Sequence, residues 1–165
     1  MRKKLFLPLI LGFIIIQFMR PERNDIIGSK HDDIQSVFPM SYAVKSILER
    51  SCYDCHSNHT RYPWYSNIQP VAWWLQHHID EGKEHLNFSA FKTYTPAEMD
   101  HKLKEIEEVI EENEMPLWSY RLIHQKAKLS EAEKNNLLKW VKESRNRLNL
   151  THHYNSEYKE KEQVY

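Results

Sequence analysis

The run Cys52-Tyr53-Asp54-Cys55-His56 constrains this chain more than any other stretch. It holds both cysteines of the sequence, three positions apart, with an imidazole directly after the second. A disulfide across that spacing is cramped and leaves His56 without a role. A zinc site needs two further ligands, with His59, His77 or His78 to draw on. A thioredoxin-like redox pair needs a βαβ setting, and no such alternation surrounds the motif. Covalent attachment of a haem accounts for all three side chains. Each thiol adds to one vinyl group of the porphyrin, and the adjacent imidazole ligates the iron from the proximal side. A chain so modified has to fold around a large apolar macrocycle.

The remaining sequence predicts an all-α domain of that kind, a small cytochrome-c-like set of helices. Gly is scarce, with three in 165 residues, and β-branched runs are few beyond the N-terminus. Tyr42, Val44, Ile47 and Leu48 predict a helix within Phe38 to Arg50, leading into the cysteine segment. Residues 57–69, with Pro63, predict a loop. A helix then starts after Pro70, with Val71, Trp74, Leu75, His78 and Ile79 on one face. Thr95-Pro96-Ala97-Glu98 is a capping box that opens a helix striped by Met99, Leu103, Ile106 and Ile110. Ser130-Glu131-Ala132-Glu133 is a second, opening a helix with Leu137, Trp140 and Val141. Five Trp, nine Tyr and six Phe are available to shield a macrocycle, among them Trp64, Trp73, Trp74, Phe88, Phe91 and Trp118. Plain core packing is the competing reading for each of these.

The N-terminus forms a separate unit. Arg2, Lys3 and Lys4 precede an apolar run from Leu5 to Met19, broken in polarity only by Gln17, in the layout of an export signal. Fifteen residues of helix reach roughly 22 Å, short of the ~30 Å hydrocarbon core. No small-residue cleavage site follows, and no Cys marks a lipoprotein. The expectation is an uncleaved anchor, or a cleaved signal, that places the rest on the periplasmic side of the inner membrane. Net charge is zero, and nothing favours nucleic acid. The expected divisions are 1–20 signal or anchor, 21–37 linker, 38–145 haem-binding domain and 146–165 frayed polar tail.

The run from Cys52 through Trp73-Trp74-Leu75 resembles the bacterial haem-binding domain family. So do His78-Ile-Asp-Glu-Gly-Lys, Leu86-Asn-Phe-Ser, Met115-Pro116, Tyr120, His124, Ala127, Leu129-Ser130 and Trp140. The likeness covers roughly residues 40–142. It implies one covalent haem c with its iron; it leaves the physiological partner open. Leu117 departs from it, standing where a second Pro is expected.

The second axial ligand decides the function. Met115, 59 residues after His56 on a Pro-bearing turn, suits the His/Met pattern of electron-transfer cytochromes. The competing reading makes Met115 core filler, with His77, His78, His85 or His124 as other ligands; His78 better suits a hydrogen-bonded core role, and His124, four residues after Tyr120, suits orienting the Met115 loop rather than binding iron. The six Glu between Glu105 and Glu114 are a solvated helix face or a docking patch for a basic redox partner. The expected protein is a one-electron carrier working with a redox partner protein. The rivals are a haem-based gas sensor or peroxidase-type enzyme with an open distal site, and a zinc-stabilised module.

Overall fold

Two capping boxes frame the domain. In the computed structural model, which describes residues 2–26 and 31–162, Thr95 Oγ1 accepts the Glu98 amide while Glu98 accepts the Thr95 amide at 2.7 Å. This box opens helix α6 (Pro96–Glu111), with Pro96 in the first turn. Ser130 and Glu133 make the same reciprocal pair at the start of α8 (Glu131–Glu162). Arg145 pairs with Asp100 at 2.9 Å and Lys142 with Glu107 at 3.2 Å. The two helices therefore run antiparallel. Their stripes of Met99, Leu103, Ile106 and Ile110 and of Leu137, Trp140 and Val141 are buried, as the spacing predicts.

Helix α3 (Tyr42–Ser51), capped by the Ser41 hydroxyl, lies across α8. Arg50 at its end reaches Glu133 at 2.7 Å. α3 starts later than Phe38 because Phe38 instead ends a short helix, α2 (Ile34–Val37). There Phe38 is buried edge-on against Phe91 at 6.0 Å. Phe88 and Phe91, in a 3-10 segment from Phe88 to Thr93, close this main core. Each such side chain contributes roughly 1.5–3 kcal/mol by leaving water.

Other expectations need correction. Helix α5 (Val71–His85) does begin after Pro70, but its buried residues are Ala72, Leu75, Gln76 and Ile79. Val71 and Trp74 are exposed, because the helical segments packed on α5, a 3-10 turn (Trp64–Asn67) and α4 (Tyr53–His56), cover its other face. The 21–37 stretch is no free linker. Asn24 is buried, its amide donating to the Ser57 carbonyl and Thr60 Oγ1 at 2.8 Å each, while Lys83 Nζ donates to its Oδ1 at 2.6 Å. Ile34 is in the main core. Residues 27–30 lie outside the described residues, as do 163–165. The tail read as frayed continues α8 to Glu162.

Helix α1 (Arg2–Ile16) is 15 residues long, and its apolar side chains from Phe6 to Ile15 are exposed. Among the described residues no helix is long and apolar enough to cross a membrane, so a transmembrane span is not supported. The exit of α1 is nevertheless tied down. Gln17 accepts the Gln69 amide at 2.9 Å and donates to the Gln69 carbonyl at 3.3 Å. Gln69 Nε2 and the Trp73 indole both donate to the Met19 carbonyl, at 2.9 and 2.8 Å.

Candidate haem site

α4 is a single turn, closed where the Cys55 and His56 amides both donate to the Cys52 carbonyl, at 3.2 and 3.0 Å. That winding places the two thiols one turn apart, as vinyl attachment requires. Both are free cysteines. Cys52 packs on the main core, and Cys55 on a smaller cluster of Tyr65, Leu75 and Ile79. Burial pushes Cys52 up to about 12 and Cys55 to about 11, with the neighbouring cysteine adding to the first and Asp54 to the second. The pair is therefore held as neutral thiols at neutral pH.

His56 Nδ1 lies 3.1 Å from the Leu86 carbonyl at the end of α5. A carbonyl only accepts, so the ring donates from Nδ1 and keeps the lone pair on Nε2. Burial holds His56 below the ordinary histidine value, offset in part by the carbonyls of Leu86 and Gly82. Phe88 stands edge-on to the ring at 6.1 Å. α5 reaches this position because residue 82 is glycine. A Cβ there would lie 3.0 Å from the Cys55 carbonyl oxygen and 3.3 Å from the Cys55 Cβ.

These features fit a covalent haem. One turn carries two unpaired thiols and an imidazole oriented through Nδ1, and exposed aromatic residues stand on elements near it. Trp64 is 76% exposed and Trp118, on α7 (Trp118–Ile123), 68% exposed. They lie on the elements flanking Cys55, and such surface marks a ligand site. That surface is open, since the enclosed cleft beside Cys55 has a volume of only about 10 Å³. Of the aromatic residues considered as a shield, Phe88 and Phe91 are core instead, and Trp73 is spent on the Met19 carbonyl. Zinc finds no support. Among the described residues no three His, Cys, Asp or Glu side chains gather to hold a metal. His59 pairs with Asp25 at 2.7 Å, and His77 and His78 with Glu81.

Met115 follows a sharp helix end. Asn113 adopts φ 63°, a left-handed turn that asparagine tolerates. The amides of Glu114 and Met115 then both donate to the Val109 carbonyl, at 3.0 and 3.3 Å. Met115 is partly buried against the same core as Cys52. The histidines offered as rival ligands are engaged otherwise. His78 packs edge-on to Trp74 at 4.5 Å, and His124 meets the Tyr65 hydroxyl at 2.6 Å, while His85 is exposed at the end of α5. The acidic run is largely neutralised within the fold. Glu105 pairs with Lys102, Glu108 with Lys104, Glu107 with Lys142 and Arg145, and Glu111 with Lys142. A docking patch for a basic partner gains little from what remains.

Gly82 and Leu86 stand in stretches that resemble the family, but the sequence does not reveal their roles beside Cys55 and His56, nor the bonds of Asp54. Gly82 carries a further signal: it is the sole glycine after residue 28, and it stands inside a helix.

Fold and site together define a helical haem protein. The sequence matches the haem-binding domain family over residues 11–143, and the chain belongs to that family. The matched span begins inside α1 and takes in the cysteine turn and Met115. No curated protein and no solved structure matches the chain.

Proposed function

We propose that the protein is an exported one-electron carrier. It binds one haem c through thioethers at Cys52 and Cys55, with iron held by His56 and Met115, and exchanges electrons with a redox partner protein. The observation that carries this reading is the His56 Nδ1–Leu86 bond beside two unpaired thiols. That bond fixes the ring so that Nε2 is the free ligating atom. A Met thioether as second ligand favours ferrous iron and raises the potential, which suits electron transfer. The placement of Met115 against the same core as Cys52 supports that choice. Export rests on the basic start and the apolar run to Met19, with residues 1–20 as signal and membrane contact on the periplasmic side.

Acid-acetone extraction of the denatured holoprotein should leave the haem on the polypeptide, and Cys52→Ala with Cys55→Ala should release it. Ferric wild type should show the weak far-red band of Met–iron ligation. Met115→Ala should remove that band, lower the potential and admit cyanide. Rapid cyanide or carbon monoxide binding by the wild type would instead establish an open distal site and a sensor or enzyme. A reporter fused after residue 165 should be active only outside the cytoplasm; activity inside it overturns export.

A further inference from the structure

The segment that follows Met115 is held in an unusual way. Helix α7 has no buried residue, and Trp118, Leu122 and Ile123 all face solvent. Apolar packing along its length does not fix it. Two side chains do. The Tyr120 hydroxyl donates to Asp54 Oδ2 at 2.7 Å, and Asp54 stands between the two cysteines. One turn later His124 Nε2 meets the Tyr65 hydroxyl at 2.6 Å. The His124 ring also stacks on Tyr120, with centroids 4.3 Å apart and planes 19° from parallel.

Asp54 is itself braced. Its Oδ1 accepts Arg61 Nε at 3.0 Å and the Arg61 amide at 3.3 Å. Its side chain is only 13% exposed. A hydrogen bond to a carboxylate so placed is charge-assisted and poorly screened. Burial, then the bond to Asp54, raises the Tyr120 hydroxyl far above its usual value, so it stays a donor.

We infer that Tyr120 and His124 are positioning residues for Met115: by gripping Asp54 and Tyr65 they latch the Met115 segment onto the turn that carries Cys52, Cys55 and His56. The inference rests on Met115 being the second iron ligand. The latch controls how readily the thioether leaves the iron, without taking part in covalent attachment.

The test uses the full-length holoprotein. Tyr120→Phe removes one hydroxyl and keeps the ring that stacks on His124. Losing a bond to a charged group should speed cyanide binding to ferric protein by about ten- to a hundredfold. Trypsin cleavage after Arg121 should accelerate in parallel, and the far-red Met band should weaken, while the yield of covalent haem stays at wild type. Tyr65→Phe should act in the same direction by a smaller factor. Tyr42→Phe, at an exposed tyrosine, should change none of these. If the wild type has the Met band, yet Tyr120→Phe and Tyr65→Phe leave both the cyanide rate and the cleavage rate unchanged, the latch is overturned while the ligand assignment stands. If the wild type has no Met band, the ligand assignment fails and this inference falls with it.

Discussion

The α3–α6–α8 side of the molecule and the α5–α7 side bury their apolar residues in different ways. On the first, stripes from three helices close around Phe88 and Phe91, and Leu103, Leu137 and Val141 are fully enclosed. On the second, the enclosed set shrinks to Tyr65, Leu75 and Ile79, and Trp64, Trp118 and Leu122 stay outside. The first side is complete with protein atoms alone. The second keeps its shape by polar bonds and leaves apolar surface for a ligand to cover. The cysteine turn is the seam between them, with Cys52 packed on one side and Cys55 on the other. Cys52, Met115 and, through Phe88, His56 lean on the first side, and only Cys55 leans on the second.

Five substitutions break or sharpen that contrast. Leu137→Ala should cost about 2–5 kcal/mol in denaturant unfolding, with or without haem, because the main core cannot collapse around the cavity. Ile79→Ala, also fully buried, should cost apoprotein only the low end of that range, since open surface adjoins it. Equal costs at the two positions would break the contrast. Gly82→Ala should cost ~1–3 kcal/mol from overpacking, concentrated at the seam. The new Cβ would meet the Cys55 carbonyl, and a cost well below that range would show that the seam is slack.

Glu133→Gln should cost about 0.5–2 kcal/mol, the range for a helix cap. The bond from the Ser130 amide, and then Arg50, push this carboxyl down to about 2. A depressed folded value means that its stabilisation is present above the ordinary value of 4.5. It is lost as pH falls toward 2. Acid titration of unfolding should therefore show a shallower slope in that window for the variant than for wild type. An unchanged slope would remove Glu133 from the account. Lys104→Gln, which deletes an exposed pair with Glu108, should shift stability by only ~0.2–0.5 kcal/mol. A larger shift would mean that the charged face of α6 contributes more than its exposure allows.

The same contrast governs what could be read before the structure. α6 and α8 announce themselves through local signals, namely capping residues three apart and buried positions at helical spacing. The cysteine turn is equally local. α5 was harder, because periodicity reveals an apolar face without revealing what covers it. Trp74 and Val71 fit the stripe and still face solvent. The polar bonds that hold the second side join residues far apart in sequence, such as Asp54 to Tyr120 and Asn24 to Lys83. Their residue types are common on any surface, so no spacing rule finds them. α8 runs on to Glu162 for a related reason: apolar periodicity detects burial, and helical backbone does not need an apolar stripe to continue.

The bonds made by Gln17 and Asn24 also carry a consequence in time. In a chain that crosses a membrane N-terminus first, both emerge well before the residues they hold. Gln17 waits for Gln69, and Asn24 waits for Ser57, Thr60 and finally Lys83. On the proposed export, the cysteine turn would leave the channel ahead of Gly82 and Leu86, the groups that lie against Cys55 and accept from His56 in the folded chain. At the pace of synthesis, 5–20 residues per second, the stretch from His56 to Leu86 takes roughly 1.5–6 s to follow. During that interval both thiols are accessible and the imidazole is not yet oriented. The window for making the proposed thioether bonds would then be set by the length of chain still to arrive. It ends when α5 closes over the turn.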